Sequence, residues 1–199
     1  MSSLRRLLGP VLRDISRSFY VSIRLLPRRL RDPVGLAYLI ARATDTLADT
    51  TEIPPSVRLD ALHNLASAIQ GPSMPDAVDS LSPQSLSAGA APPSPSISAG
   101  SIVDLRQSFA PLQTNSAERT LIEVLPDILQ SLDLQNAADR GDIRAVLGNI
   151  TRAQTLDIER FGNSTQTSAL RTASDLHEYT YLVAGCVGEF WTHLCYRYI

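Results

Sequence analysis

The sequence predicts an all-α protein. Apolar residues recur at helical spacing in long segments on both sides of one break in composition, and prolines or a Gly-Pro pair end several of these segments. The segments are 10–26, stopped by Pro27; 33–50, opened by Asp32-Pro33; the run from Pro54-Pro55 to Gly71-Pro72; a run from about 104; 137–161, ended by Gly162-Asn163; and 175–198. Asn115 with Glu118, and Asp175 with Glu178, have the spacing of a capping box at a helix start.

Length and composition favour one globular domain. The chain has 199 residues, of which 44% are hydrophobic and 19% charged, and this is ordinary for a protein with a buried core. The net charge of −2 argues against nucleic acid as a partner. We find neither an apolar run of the roughly 18 residues that a membrane span needs nor a signal peptide. We therefore expect a cytoplasmic protein.

The cysteines and histidines do not have the spacing of a metal-binding site. Cys186 and Cys195 lie nine residues apart on one predicted helix, about 180° around its axis, so a local disulfide is excluded. The three histidines have no metal-ligand spacing. These features suggest a reducing compartment.

Basic residues are concentrated at the amino end. All 18 are arginines, and nine of them lie in the first 42 residues. Such a segment can attract a phosphorylated substrate or an anionic membrane surface. A genome biased toward arginine codons explains the absence of lysine equally well, so both interpretations stay open.

Residues 72–101 differ in composition from the rest of the chain. Ser and Pro supply 15 of these 30 residues, and aliphatic periodicity is almost lost. Such composition is typical of disorder. We interpret residues 1–199 as a single domain with a disordered Ser/Pro-rich insert at 72–101, since helical segments flank the insert on both sides.

The helix around residues 38–49 carries the strongest candidate site. Tyr38, Arg42, Asp45 and Asp49 fall at i, i+4, i+7 and i+11, within an arc of roughly 60°, and every residue between them is apolar or small. Two carboxylates at i and i+4 repel each other by roughly 0.2–0.5 kcal/mol. A hard divalent cation such as Mg²⁺ relieves this repulsion and can also bind phosphate oxygens. The alternative is an ordinary solvated acidic face.

Two further polar groups admit two interpretations each. Ser16 to Phe19 either start a new helix with an N-cap or form an anion-binding helix start with an arginine. Gln154 and Asp157 share a face with Phe161, so Asp157 is either a second inward carboxylate or a surface residue beside Arg160 or Arg152.

The last segment contains small residues, two of them glycines that a helix interior disfavours. Each glycine costs about 1 kcal/mol relative to alanine, yet Ala184, Gly185 and Gly188 lie close together. Either another helix packs closely there, or a bulky apolar ligand lies against the backbone. Tyr179 and Tyr181 precede these residues, and an aromatic face can stabilise a cation by roughly 2 kcal/mol when desolvated.

Three blocks together carry a resemblance: SRSFYVSIRLLP, DPVGLAYLIARATDTLADT and EYTYLVAGCVGEFW. In this order they resemble the squalene/phytoene synthase family, whose members are all-α trans-isoprenyl diphosphate synthases that condense two prenyl diphosphates head to head. The likeness covers the chain apart from the insert and is greatest to bacterial squalene synthases. It implies an isoprenoid-synthase-type helical bundle around a central cavity, of which this chain supplies the N-terminal two-thirds and lacks the C-terminal helices.

The resemblance also implies roles for the candidate residues. Asp45 and Asp49 correspond to the first aspartate-rich motif, which binds diphosphate through Mg²⁺, and Tyr38 and Arg42 precede it as catalytic residues. Tyr179 matches a pocket tyrosine that handles carbocations or protons. The implied substrate-binding residues are Ser16, Arg17, Ser18, Phe19, Gln154, Asp157, Val183, Val187 and Gly188.

The implied reaction joins two farnesyl diphosphates into presqualene diphosphate and then squalene, with NADPH as the hydride donor. Dehydrosqualene or phytoene synthesis, and a catalytically inactive helical binding subunit, are the alternatives. The family's second aspartate-rich motif does not occur before Ile199. On the resemblance we expect a fragment or truncated product with weak or no activity of its own. Its oligomeric state is open, and a peripheral membrane contact remains an alternative to a purely cytoplasmic location.

Overall fold

The computed structural model describes residues 3–16, 18–71, 99–161 and 169–199. Within these ranges the backbone is almost entirely helical and contains no strand, so the all-α prediction is confirmed. The α-helices are α1 (Ser3–Arg6), α2 (Leu12–Ser16), α3 (Ser18–Leu25), α4 (Arg28–Asp49), α5 (Pro55–Gln70), α6 (Ala99–Phe109), α7 (Ser116–Glu123), α8 (Leu125–Asp133), α9 (Ala137–Phe161), α10 (Ala173–Thr180) and α11 (Cys186–Tyr198). A 3₁₀ turn at Ala110–Leu112 and π-helical turns at Leu7–Val11 and Tyr181–Gly185 complete them.

Helix α4 lies at the centre of the fold. It packs against α9, α5, α8 and α7, and its side chains are buried around most of its circumference. Leu36, Leu39, Ile40 and Leu47 are fully inaccessible to solvent. From Pro33 onward α4 is buried on nearly all sides, as a helix in a protein core is, so Tyr38, Arg42, Asp45 and Asp49 mark its one open edge.

The start of α4 differs from the prediction. We expected Asp32 to cap a helix with Pro33 at its first position, but α4 begins at Arg28, after an extended Pro27. The amide of Leu30 already bonds to the Pro27 carbonyl at 2.9 Å, and the Leu30 side chain is buried. Pro33 therefore removes only one early backbone hydrogen bond, and burial of Leu30 offsets that loss.

The two terminal segments each contain a π-helical turn that the periodicity did not predict. In the amino-terminal segment, which begins at Ser3 and not at residue 10, the turn includes Pro10, a residue that has no backbone N–H to donate. In the last segment the turn at Tyr181–Gly185 separates α10 from α11. Helical backbone thus runs without a break from Ala173 to Tyr198, as the prediction of one helix over 175–198 requires, but it contains a wider turn that was not predicted.

The capping residues are partly as predicted. The Asn115 side chain accepts a hydrogen bond from the Ala117 amide and caps α7. For α10 the capping box is formed by Thr172 and Asp175, so Asp175 occupies the third helical position and is not the N-cap. Helix α6 begins at Ala99, earlier than the expected 104, and the rest of the predicted insert, residues 72–98, lies outside the described residues.

An ionic cluster around the buried carboxylate of Asp139 joins the start of α9 to the end of α11. The Asp139 carboxylate on α9 is 2.6 Å from Arg197 Nη1 and accepts a 2.7 Å hydrogen bond from the Tyr198 hydroxyl, both on α11. Arg197 Nη2 is 2.6 Å from Asp142. A carboxylate this deeply buried is stable only because it is paired and hydrogen-bonded, so the cluster fixes α11 onto α9.

Cys186 is buried, Cys195 is half-buried, and both thiols are free, as their spacing predicts. None of the helices seen in the described ranges combines the length and the hydropathy that a bilayer crossing requires.

Candidate functional site

Arg42 is the centre of the polar stripe on α4. Its Nη1 lies 2.5 Å from Asp45 Oδ2, and its Nη2 lies 2.6 Å from Glu118 Oε1 on α7. All three side chains are partly buried. The guanidinium therefore bridges two carboxylates from two helices that are far apart in sequence.

Asp49 extends the stripe one turn beyond Asp45. Partial withdrawal from water raises the pKa of Asp49 above its ordinary value, and the negative charge of Asp45 raises it further, while Arg42 opposes the shift. The ionised form of Asp49 is thus held at a cost in free energy. Any cation placed against Asp45 and Asp49 reduces that cost.

The other end of the stripe is apolar. The rings of Tyr38 and Phe19 have their centroids 5.0 Å apart and are tilted by 32°. Burial raises the pKa of Tyr38, so its hydroxyl is an even weaker acid than that of an exposed tyrosine. Both rings line a cavity of about 150 Å³ together with Val34, Ala37, Ala41, Val146, Ile150, Val187, Phe190 and Trp191.

A second cavity, of about 200 Å³, adjoins the charged end of α4. Arg42, Thr46, Asp49, Gln113 and Glu118 are among its lining residues. Tyr38 and Asp49 are eleven residues apart, which is about 16 Å along a helix axis. One edge of α4 thus runs from an apolar cavity to a charged one, which suits a ligand with an apolar tail and an ionic head.

Helix α9 forms another wall of the apolar cavity. Ile150, Gln154 and Asp157 fall at i, i+4 and i+7, so they share one face that begins at the cavity. The Gln154 Oε1 atom is buried and has no hydrogen-bond partner among the described residues. A buried amide oxygen without a partner is costly, so this position is suited to a donor from water or a ligand.

Asp157 connects this face to α10. The Tyr179 hydroxyl donates a long, 3.4 Å hydrogen bond to Asp157 Oδ2. Burial raises the pKa of the Asp157 carboxyl, and it likewise raises the pKa of Tyr179, to which the Asp157 charge also contributes. The structure thus brings together two predicted residues, Asp157 and Tyr179, that lie on different helices.

The predicted residues of the amino-terminal block lie in different environments. Phe19 reaches the apolar cavity, as described above, whereas Ser18 is an exposed residue at the start of α3. The Ser16 hydroxyl is buried and donates to the Leu12 carbonyl at 2.5 Å, so it does not act as a helix N-cap. Arg17 lies outside the described residues.

The predicted residues of the carboxy-terminal block also lie in different environments. Val187 lines the apolar cavity, while Val183 is exposed on the π-helical turn. A Cβ atom at Gly185 would lie 3.0 Å from the Tyr181 ring, so a larger residue there would require that ring to shift. A Cβ atom at Gly188 would meet nothing within 4 Å in the described structure, so no neighbouring helix occupies that space.

Sequence reasoning missed several residues of these cavities, among them two aromatic side chains and one carboxylate. Phe190 and Trp191 line the apolar cavity, and their spacing after Val187, at i+3 and i+4, was a signal that placed them on the same face. Glu118 was interpreted as half of a capping box, but it pairs with Arg42. No local pattern could reveal that contact, because the two residues are 76 positions apart.

A sequence profile of the squalene/phytoene synthase family matches residues 12–198. The chain belongs to the squalene/phytoene synthase family. The squalene synthase of Solanum lycopersicum is 46% identical over 52 residues, which are 26% of this chain and 13% of that protein. The bifunctional lycopene cyclase/phytoene synthase of Phaffia rhodozyma is 26% identical over 199 residues, covering 92% of this chain and 28% of that protein.

A solved structure of TcSQS with a bound ligand supports the fold of this family member. It superposes with a TM-score of 0.63 at 22% identity over 97% of this chain and 44% of that chain. The isoprenoid-synthase type of helical bundle is thereby confirmed. The chain spans less than half the length of the relatives that it matches.

The donor set of this family member fits a hard divalent cation. Within residues 3–16, 18–71, 99–161 and 169–199 no three acidic, histidine or cysteine side chains form a metal-binding group. Mg²⁺ does not need one, because it commonly binds through one or two carboxylates and keeps its remaining ligands as water or phosphate oxygens. Asp45 and Asp49 supply such a pair, and the pKa of Asp49 is raised first by partial burial and then by the charge of Asp45.

Proposed function

We propose that the chain provides the first diphosphate-binding half of a head-to-head prenyltransferase that converts two farnesyl diphosphates to presqualene diphosphate and squalene. One observation supports this most directly: the edge of α4 leads from the adjacent rings of Phe19 and Tyr38 to the charged group formed by Arg42 and Asp45. A prenyl diphosphate has the same polarity along its length. Membership in the squalene/phytoene synthase family supports the same reaction class.

Each residue has a role in this proposal. Asp45 and Asp49 would hold Mg²⁺, which when bound neutralises the charge of the leaving diphosphate. Arg42 contributes a permanent positive charge beside that site. Phe19, Tyr38 and the apolar cavity bind the prenyl chain and exclude water, so that a developing cation is not quenched.

Tyr179 is suited to holding or moving a proton. Its hydroxyl donates to Asp157, a carboxylate whose raised pKa gives it a greater tendency to take up a proton than an exposed aspartate has. A tyrosine hydrogen-bonded to such a carboxylate can retain its own proton and stabilise a nearby cation with its ring.

Dehydrosqualene or phytoene synthesis is the second reaction within this proposal. It uses the same ionisation but ends with loss of a proton, whereas squalene formation ends with hydride from NADPH. The sequence carries no glycine-rich dinucleotide motif that decides between them. Incubation with farnesyl diphosphate, with and without NADPH, followed by identification of the hydrocarbon product, distinguishes the two reactions.

The binding step is tested with inorganic diphosphate. We expect the 199-residue chain to bind it by calorimetry in the presence of Mg²⁺ and much more weakly in EDTA. Asp45→Asn should weaken the Mg²⁺-dependent binding by about tenfold or more, since each 1.4 kcal/mol is a factor of ten. Metal-independent binding that Asp45→Asn leaves unchanged would contradict the proposal and favour a non-catalytic helical subunit.

A further inference from the structure

We infer that Glu118 is a positioning residue that retains Arg42 when Asp45 is bound by a divalent cation. The inference rests on the proposed function and adds a residue to it. It starts from the split geometry of the guanidinium, in which Nη1 contacts Asp45 and Nη2 contacts Glu118.

A metal ion at Asp45 competes directly with Arg42. The guanidinium cannot lose its proton, so it stays positively charged whenever a cation approaches the same carboxylate. If Asp45 were its only partner, metal binding would leave a partly buried arginine without an anion. Burying an unpaired charge is costly, so this loss would weaken the metal site.

Glu118 supplies the second anion. Its side chain is 21% exposed, whereas that of Asp45 is 42% exposed. Water screens the pair with Glu118 less than the pair with Asp45, so the pair with Glu118 is the stronger of two contacts of nearly equal length. Arg42 therefore releases Asp45 first and remains attached to Glu118.

The position of Glu118 also fixes where Arg42 stays. Glu118 lies on α7, and it lines the same cavity as Arg42 and Asp49. An arginine held from α7 keeps its charge at the edge of this cavity. It then faces the space in which a diphosphate bound to the metal would lie.

The test measures binding of Mn²⁺ alone, followed through the EPR signal of the free ion. In Glu118→Gln, Arg42 has only Asp45 as an anionic partner, so we expect the apparent Kd for Mn²⁺ to rise by about tenfold. Glu123→Gln is the matched control, because Glu123 lies on the same helix and the charge change is identical. We expect that control to bind Mn²⁺ as the unmodified chain does.

A double-mutant cycle separates positioning from simple charge attraction. With Arg42→Gln already present, no guanidinium competes for Asp45, so adding Glu118→Gln should change the Kd by less than about threefold. An equal effect of Glu118→Gln in both backgrounds, or an effect no larger than that of Glu123→Gln, would overturn the inference while leaving the proposed function intact. Equal Mn²⁺ affinity of the unmodified chain and Asp45→Asn would overturn both.

Discussion

Arg197 lies across the buried carboxylate of Asp139, with Nη1 only 2.6 Å from Oδ1. The Asp139 side chain is 4% exposed and the Arg197 side chain 30% exposed. The same guanidinium also contacts Asp142, so one side chain neutralises two acids on α9. This pair therefore carries a larger share of stability than the exposed ion pairs of the molecule.

Replacing Arg197 with glutamine should lower the free energy of unfolding by about 2–3 kcal/mol. That is less than the 3–5 kcal/mol for fully buried pairs, because Arg197 is partly solvated. Urea unfolding followed by circular dichroism measures the change. Arg152→Gln is the matched control, since Arg152 pairs with Glu178 at the surface and should contribute less than about 1 kcal/mol. Equal losses in the two variants would contradict this assignment.

Substitution of Asp49 should stabilise the chain at neutral pH. Folding raises the pKa of Asp49, so the folded state binds its proton more tightly than the unfolded state does. This contribution to stability therefore falls as pH rises from the ordinary pKa of 3.8 to the raised value in the folded protein. Above that window the ionised carboxylate is unfavourable, and Asp49→Asn should gain about 0.2–0.5 kcal/mol, the size of helical like-charge repulsion.

Urea unfolding at two pH values tests this assignment. The gain should be present at about pH 7 and absent near pH 3, where Asp49 is protonated in both states. Asp45→Asn is the control: it loses the contact with Arg42 and should not stabilise the chain. A gain from Asp49→Asn that persists at the lower pH would show that its cause is not ionisation.

Gly71 is required by the backbone at the end of α5. Its φ of 71° and ψ of −179° lie in a region that only glycine adopts readily, so Gly71→Ala should cost about 1–3 kcal/mol. A Cβ atom would also lie 2.5 Å from Arg144 Nη2, although that flexible side chain can move. The backbone strain should therefore dominate the loss, which thermal unfolding measures.

Gly141→Ala is the opposite case and serves as the control. Gly141 lies inside α9, is exposed, and a Cβ atom there meets nothing within 4 Å. Alanine should stabilise the helix by about 0.5–1 kcal/mol. If both substitutions shift the melting temperature in the same direction, the conformational explanation for Gly71 is wrong.

The sequence could predict which residues share one face of a helix, because this depends only on residues close together along the chain. The stripe of Tyr38, Arg42, Asp45 and Asp49 follows from the helical period alone, and the structure keeps these residues on the open edge of α4. The identity of the second partner of Arg42 depends on how α7 packs against α4. Glu118 had an adequate local explanation as a capping residue, so only the tertiary structure reveals its contact.

The local winding of the last helical segment also could not be predicted from the helical period. The π-helical turn at Tyr181–Gly185 inserts a wider turn, which shifts the faces of the residues on either side. In a regular α-helix Val183 and Val187, four residues apart, would share one face, but the wider turn alters this relation. Only Val187 lines the apolar cavity, and Val183 is exposed.

Enlarging Val187 should separate binding of the apolar tail from binding of the charged head. Val187→Phe places a larger ring in a cavity of about 150 Å³, so it should weaken binding of farnesyl diphosphate by about tenfold, equivalent to 1.4 kcal/mol. Inorganic diphosphate lacks the tail, so its affinity in the presence of Mg²⁺ should change by less than about twofold. Calorimetric titration with both ligands measures the two effects.

Val183→Phe is the matched control for this experiment, because it makes the same change one turn earlier at an exposed position. It should leave the affinity for both ligands unchanged. A loss of inorganic diphosphate binding in Val187→Phe would show that the substitution disturbs the charged end as well. Equal loss of farnesyl diphosphate binding in both variants would exclude the cavity of Phe19, Tyr38 and Trp191 as the site of the prenyl chain, because Val183 does not line it.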